Sequence, residues 1–385
     1  MDWKYALSEP DLGEPEIAAV VDCVTSGWLS MGPRARAFEA AFAKMHGVKH
    51  AFAVANGTAA LHIALAALGV GARPGDEVIQ PSMTFVAGAN MTRVVGAKPV
   101  FADIVSLIEP TIDPADLERR ITANTRAIIV MHYGGYACRM EQIAAIAAAH
   151  SIPVIEDACH APGQNVPELG GRFLGSIGDI GCFSFFSNKN MTCGEGGMVV
   201  TDDDGLAEMI KALRSHGMTT LSWDRHQGRA TTYDVTVSGF NYRLDDLRAA
   251  LGSAQLAKLP GLNAKRRALA VAYADEFAAL GAPDTAYVFG DDAGAGTAHV
   301  GAVIVPAAKR DAVRAGLAKQ RIQTSLHYPP VHHFTAFRDA AGAAPTALPV
   351  SEEYAQRVIT LPLYPALPLE AVPEIVGAIA QGLRG

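Results

Sequence analysis

At 385 residues, half of them hydrophobic and none in a low-complexity run, the chain exceeds the size at which one core usually stops growing; two domains with a sizeable packed core are expected and disorder is not. A formal charge of −7 argues against a nucleic-acid partner or an acidic membrane surface, so a phosphate-bearing ligand would need a local site. Five dispersed cysteines (Cys23, Cys138, Cys159, Cys182, Cys193) with no CxxC pair, a polar start (MDWKYALSEPDLG) and no apolar run of bilayer length point to reduced thiols in a cytoplasmic protein.

Up to about Gly47 the chain reads as helices wrapped on a body, with Phe38, Phe42 and Met45 at helical spacing. Strands and helices then alternate. The strand candidates are Ala51 to Ala55, Glu77 to Gln80, Pro99 to Asp103, Arg126 to Met131, Pro153 to Asp157, Ile180 to Phe185 and Met198 to Thr201. Helical patterns between most of them, such as Met140, Ile143 and Ala147, predict an α/β fold whose mainly parallel seven-stranded sheet is covered on both faces. TDDDG, Thr201 to Gly205, is a turn without the spacing of a calcium loop. Ser238 to Leu256 opens with Gly-Phe-Asn and becomes an amphipathic helix with Leu244, Leu247, Leu251 and Ala254 on one side; Asn241 reads by itself as its cap. From about Lys258 the composition shifts, which divides the chain into a large domain, 1–257, and a small C-terminal α+β domain, 258–385. A charge run there, Lys265 to Arg267, reads as a solvated face.

Three segments carry chemistry. FSFFSNKNMTCGEGG, Phe183 to Gly197, sets Lys189 between a strand end and a glycine-rich turn, among Phe183, Phe185 and Phe186. Apolar surroundings lower a lysine's pKa and bring the neutral amine needed for a Schiff base within reach. VIEDACH, Val154 to His160, reads as a buried strand ending in Glu156 and Asp157. ANGTAALHIAL, Ala55 to Leu65, is a strand, an Asn-Gly-Thr turn and a helix with Leu61, Leu65 and Leu68 on one face; the free N–H groups at that helix start, with the Thr58 hydroxyl, suit a phosphate. An imine-forming lysine, a carboxylate to keep a pyridine nitrogen protonated and a phosphate cradle are what pyridoxal 5'-phosphate requires. Taken singly, each has a plainer reading: a solvated loop charge, a carboxylate capping the turn after a strand, an ordinary helix cap.

With these segments the chain resembles the pyridoxal phosphate enzymes of fold type I, and among them the DegT-type (DegT/DnrJ/StrS) sugar aminotransferases, which act on keto sugars attached to nucleotides. The resemblance spans nearly the whole chain and includes GWLSMGPRARAFEAAFAKMHG, GDEVIQPSMTFVAGANM, VMHYGGYACRM, SGFNYRLDDLRAALGSAQL and SLHYPPVHH. It implies an aminotransferase taking nitrogen from glutamate or glutamine, with Lys189 and Asp157 as the catalytic pair. It implies that Phe85, in PSMTFVAGAN, stacks on the cofactor ring, that Gly57, Thr58 and Ser184 meet its phosphate, and that His160 lies against its phenolic oxygen or the aspartate. It further implies a homodimer in which Asn241 reaches the neighbouring subunit's cofactor phosphate, and His327 and Tyr328 facing the sugar-nucleotide pocket.

His327, His332 and His333 invite a metal, but no carboxylate or thiolate lies at ligand spacing in the sequence and prolines break the segment, so none is expected. HYPPVHHF departs from the usual continuation of this segment in the family, which leaves a keto-cyclitol as a second class of substrate. A dehydratase variant of the family carries histidine in place of the lysine, and a sensor without turnover implies a replaced or obstructed one; Lys189 stands against both. A dinucleotide oxidoreductase would need a GxGxxG after a strand, and there is none.

Overall fold

The computed structural model describes residues 3–220, 223, 228, 231–338 and 347–384. Its centre is a seven-stranded sheet of β1 (His50–Val54), β2 (Glu77–Pro81), β3 (Lys98–Ala102), β4 (Thr125–Met131), β5 (Val154–Asp157), β6 (Ile180–Ser184) and β7 (Gly197–Thr201), in the spatial order β1-β7-β6-β5-β4-β2-β3. Neighbours pair in parallel except for β7, which runs antiparallel to both β1 and β6. The exception follows from the connections. Parallel neighbours need a crossover helix, whereas β6 returns as β7 through the loop that carries Lys189.

Alternation along β6 and β7 assigns the two faces. Cys182 and Val199 point to one side, where they pack with Leu61, Ile63 and Leu65 of α3 (Gly57–Ala67) and with Ile129 and Ile155. Phe183, Met198 and Val200 point to the other, against Phe38 and Phe42 of α2 (Pro33–His46), which follows α1 (Glu14–Thr25). The sequence sets Leu61, Leu65 and Leu68 of α3 on one face; residues Ala59 to Leu65 are all buried, because the helices at Ala87–Val94 and Asp204–Arg214 pack on it as well as the sheet. The remaining helices of this body are α4 (Ala87–Val94), α5 (Pro114–Arg119), α6 (Met140–His150) and α7 (Asp204–Arg214).

The next helix, α8, runs without a break from Asp246 to Leu280, through Pro260. The division at 257/258 therefore falls inside one helix, and no new helix begins at Lys258. Its cap is Asp245, whose side chain accepts the Arg248 N–H; Asn241 lies upstream in a bridge to Ser215, which corrects its reading as the cap. Arg266 is corrected too. It is buried and donates to the Leu363 carbonyl at 2.9 Å, and burial pulls its pKa down to about 10. Its neighbours in the charge run, Lys265 and Arg267, are not buried.

Beyond α8 lies a small antiparallel sheet of β8 (Ala286–Tyr287), β9 (Gly301–Ile304) and β10 (Val358–Leu361), with α9 (Ala307–Lys319), α10 (Pro349–Arg357) and α11 (Ala371–Arg384). Tyr273 and Phe277 of α8 join Val303, Leu317, Ile359 and Ile375 in a core of its own. The N-terminal residues attach here as well: Tyr5 bridges Ile322, and the Lys4 N–H reaches the Arg321 carbonyl at 2.8 Å. No helix among the described residues is long and apolar enough to cross a membrane.

Candidate active site

The predicted residues other than Asn241 gather around the ends of β5 and β6. Asp157 closes β5 and is buried, its Oδ1 accepting the Cys159 N–H at 3.1 Å. Its neighbour Glu156 points to the other face, as strand alternation demands. There it accepts from His132 Nε2 (2.8 Å) and from the N–H groups of Gly175 (2.8 Å), Ile177 (2.6 Å) and Gly178 (2.5 Å). Burial pushes the Glu156 carboxyl up, and these donors more than offset it, holding the group below the usual carboxylate range. Glu156 thus anchors the 175–178 loop, and Asp157 is the acid free for chemistry.

Lys189 sits in the β6–β7 loop, which is tied down by the Phe185 N–H to Gly196 (2.8 Å) and the Cys193 N–H to Phe185 (3.0 Å). Its side chain is half-buried. Burial holds its pKa below the ordinary lysine value, against the opposing pull of Cys159 and Asp157. An amine in that state reaches its neutral, nucleophilic form more readily than one in water.

The start of α3 faces the end of β6. Asn56 caps the helix by accepting the Ala59 N–H at 2.8 Å, and the N–H groups of Gly57 and Thr58, which have no acceptor inside the helix, point outward from the positive end of its dipole. Gly57 is a steric requirement here: a Cβ would lie 2.8 Å from Ser184 Cβ and 3.2 Å from Cys159 Sγ. Ser184, at the end of β6, thereby brings its hydroxyl to the helix start. Phe85 lies in the loop before α4, outside the helix, with 57% of its surface exposed and its ring 6.3 Å from that of Tyr328.

His160 and Tyr328 meet each other. The Gly134 N–H donates to His160 Nδ1 at 3.3 Å, so the ring proton is on Nε2 and is given to the Tyr328 hydroxyl at 2.9 Å. Burial, reinforced by the charge of Lys189, keeps His160 well below the ordinary histidine value. His327 bonds the Thr360 hydroxyl through Nδ1 at 2.9 Å, its carbonyl accepts from Tyr133, and burial with Lys189 lowers its pKa to about 4. Asn241 is exposed, and among the described residues no hydrogen bond of this site involves it.

Two arrangements escaped the sequence. His299, just before β9, is buried, with its Nε2 3.5 Å from Lys189 Nζ and its ring 4.3 Å from that of His160. A lone histidine at a strand start gave no sign of this beyond its place ahead of the apolar run. A carboxylate does stand beside the late histidines: Glu352 of α10 accepts from both His332 and His333 at 2.7 Å, while Ser82 bonds His332 Nδ1 at 2.6 Å. The carboxylate comes from α10, beyond any local spacing, and the hydrogen bonds seen there pair it with the two rings. A cleft of 1080 Å³ lined by Tyr136, Gln164, Phe289 and Asp292 contains none of the predicted residues.

A buried acid and a lysine of lowered pKa at adjoining strand ends, a helix start where only glycine fits and an open aromatic face beside it suit a phosphorylated pyridine aldehyde; the residues present fit pyridoxal phosphate. Fold and site define a pyridoxal phosphate-dependent aminotransferase of fold type I. Residues 10–380 match the model of the DegT/DnrJ/EryC1/StrS aminotransferase family, and the chain belongs to that family. It is 38% identical over 389 residues, 99% of this chain and 97% of the other, to the spore coat polysaccharide biosynthesis protein SpsC of Bacillus subtilis (strain 168). Among solved structures it is similar to the PLP form of Spr1654, a putative sugar aminotransferase from Streptococcus pneumoniae (28% identity, 98% of each chain covered, TM-score 0.88). It is likewise similar to DesI, solved in the presence of its TDP-sugar product (30% identity, 100% of this chain and 94% of the other, TM-score 0.86).

Proposed function

We propose that this aminotransferase delivers an amino group from glutamate or glutamine to a keto group on a nucleotide-linked sugar, as a cytoplasmic homodimer. The TDP-sugar product named for DesI, a relative covered over 94% of its chain, supports the nucleotide-linked acceptor. The observation that carries the chemistry is the Lys189 amine 3.5 Å from His299, whose ring lies 4.3 Å from that of His160 just beyond β5, in a corner where burial lowers the lysine pKa while Asp157 stays within electrostatic reach. Bound here, pyridoxal phosphate would supply an aldehyde for imine exchange and a ring that takes up the electron pair left by a departing α-proton.

The chain's own residues do the rest. Lys189 would hold the cofactor through its amine, and the same amine would move the donor's α-proton. Asp157 holds the ring nitrogen protonated. The N–H groups of Gly57 and Thr58 and the Ser184 hydroxyl would hold the phosphate, joined by Asn241 of the partner subunit, and Phe85 would cover the ring. His160, neutral and bonded to Tyr328, would meet the cofactor's phenolic oxygen, and His327 and Tyr328 would border the sugar.

The test is an acceptor panel of nucleotide-linked keto sugars and free keto-cyclitols, each offered with glutamate or glutamine, run on the wild-type chain and on Lys189→Ala. The expected outcome is amination of a nucleotide-linked sugar by the wild type and a loss of about a thousandfold or more in the variant. Turnover confined to a free cyclitol would replace the substrate reading. Undiminished turnover in Lys189→Ala would remove the lysine from the reaction.

A further inference from the structure

We infer that His299 is a positioning residue for Lys189: a neutral imidazole whose bare Nε2 accepts an N–H of the lysine amine and orients it for imine formation. The inference rests on the reading of Lys189 given above, and it follows from an accounting of hydrogen-bond donors. Asn263 donates from Nδ2 to the Pro162 carbonyl at 2.9 Å, which leaves its Oδ1 to accept. Asn190, next to Lys189 in the chain, donates from Nδ2 to that Oδ1 (2.9 Å) and to the Thr297 carbonyl (3.0 Å). A backbone carbonyl can only accept, so the orientation of both amides is determined. The oxygen of Asn190 is therefore the atom presented to His299 Nδ1 at 2.9 Å, and Nδ1 must carry the hydrogen.

A neutral ring with its hydrogen on Nδ1 has its lone pair on Nε2, the atom 3.5 Å from Lys189 Nζ. That separation is at the outer limit of a hydrogen bond, as contacts of this kind often are before a ligand tightens them. The groups that face the pair are His160, His327, Asp157, Cys159 and Arg266; burial, with the nearby charges of Lys189 and Arg266, keeps His299 neutral. Thr297 locks the same corner by donating to the His160 carbonyl at 2.6 Å. The lysine amine is thus met by an acceptor whose direction is set, through two asparagines, by backbone carbonyls from two separate segments. A lysine on a four-carbon stem otherwise has its rotamers free, and holding one of them is what orientation contributes to rate.

Two substitutions separate this role from simple packing. In His299→Asn the amide nitrogen overlays Nδ1 and keeps the bond to Asn190, but nothing remains at Nε2; in His299→Gln an amide group returns to the Nε2 position. The readouts are the rate at which the visible absorbance of the lysine–cofactor linkage appears when pyridoxal phosphate is added to the cofactor-free chain, and the pH midpoint of that absorbance. We expect His299→Asn to keep the wild-type thermal midpoint, to slow the linkage about tenfold and to shift the pH midpoint, with partial recovery in His299→Gln. His299→Asn matching the wild type in both readouts would reduce His299 to a packing group. Nitrogen-15 NMR of histidine in the wild-type chain is a check that needs no variant: a protonated Nε2 on His299 at neutral pH overturns the inference. If Lys189→Ala abolishes turnover while His299→Asn is silent, only this inference fails; if Lys189→Ala is silent, the reading beneath it fails first.

Discussion

Substituting Gly57 tests the cofactor site with a single added carbon. A Cβ there would stand 2.8 Å from Ser184 Cβ, about 0.7 Å inside the ~3.5 Å at which two carbons rest. Ser184 Cβ is fixed to the β6 backbone and cannot swing aside, and Cys159 Sγ at 3.2 Å closes a second direction. The start of α3 must therefore back away from β6, separating the Gly57 and Thr58 N–H groups from the Ser184 hydroxyl. Overpacking of this kind costs about 1–3 kcal/mol, and if that cost falls on the bound state, pyridoxal phosphate affinity drops about 5- to 150-fold. The measurement is equilibrium dialysis of cofactor-free Gly57→Ala, with circular dichroism to verify the fold. Gly261→Ala, on α8 with nothing within 4 Å of the added carbon, is the control and should bind as the wild type does. Wild-type affinity in folded Gly57→Ala would refute the assignment of the phosphate to this helix start.

Glu156→Gln should lower the urea stability of the chain by about 3–5 kcal/mol, because it breaks a fully buried pair with His132 and sets an amide N–H among three loop donors. Asp157→Asn should unfold where the wild type does and lose turnover instead; exchanged phenotypes would mean that the two acids had been assigned to the wrong faces. Stability should also fall as pH drops. His46 donates from Nδ1 to the Phe42 carbonyl (3.1 Å), accepts the Gly163 N–H on Nε2 (3.0 Å), and has its pKa lowered by burial to about 4. A folded-state pKa below the unfolded value gives stability that is whole above about pH 6.5 and lost as pH falls toward about 4, by roughly 3 kcal/mol for this residue. His160, His299 and His327 add in the same direction. A urea midpoint that stays level or rises between pH 6.5 and 4.5 would contradict these neutral buried histidines.

The sheet was legible because its signals are local. Each strand of the large sheet was found to within a few residues, since an apolar run bounded by turn residues is written in adjacent positions. The dipeptide Glu156-Asp157 could be placed at a strand end, with its acids on opposite faces, but which face held the site depended on the loop at 175–178 and on His132. The division at 257/258 was read from composition, which shifts there, while the helix that crosses it is continuous because its buried face continues from Leu256 and Leu259 through Leu262, Arg266 and Leu269.

What the sequence alone determined was the set of reactive segments: a lysine in an aromatic and glycine-rich loop, an acid at a strand end, and a Gly-Thr helix start, each a pattern of a few neighbouring residues with its own turn chemistry. Tertiary structure decided which groups share a hydrogen bond. It brought His299 to Lys189, Glu352 to His332 and His333, and Tyr328 to His160, all pairs far apart along the chain. No periodicity links such positions. Their meeting depends on how β9, α10 and the segment before α10 dock on the large sheet, where α10 bonds Asp103 beyond β3 and Tyr328 reaches His160 beyond β5, and that docking is settled by the packing of whole bodies, not by any one stretch of residues.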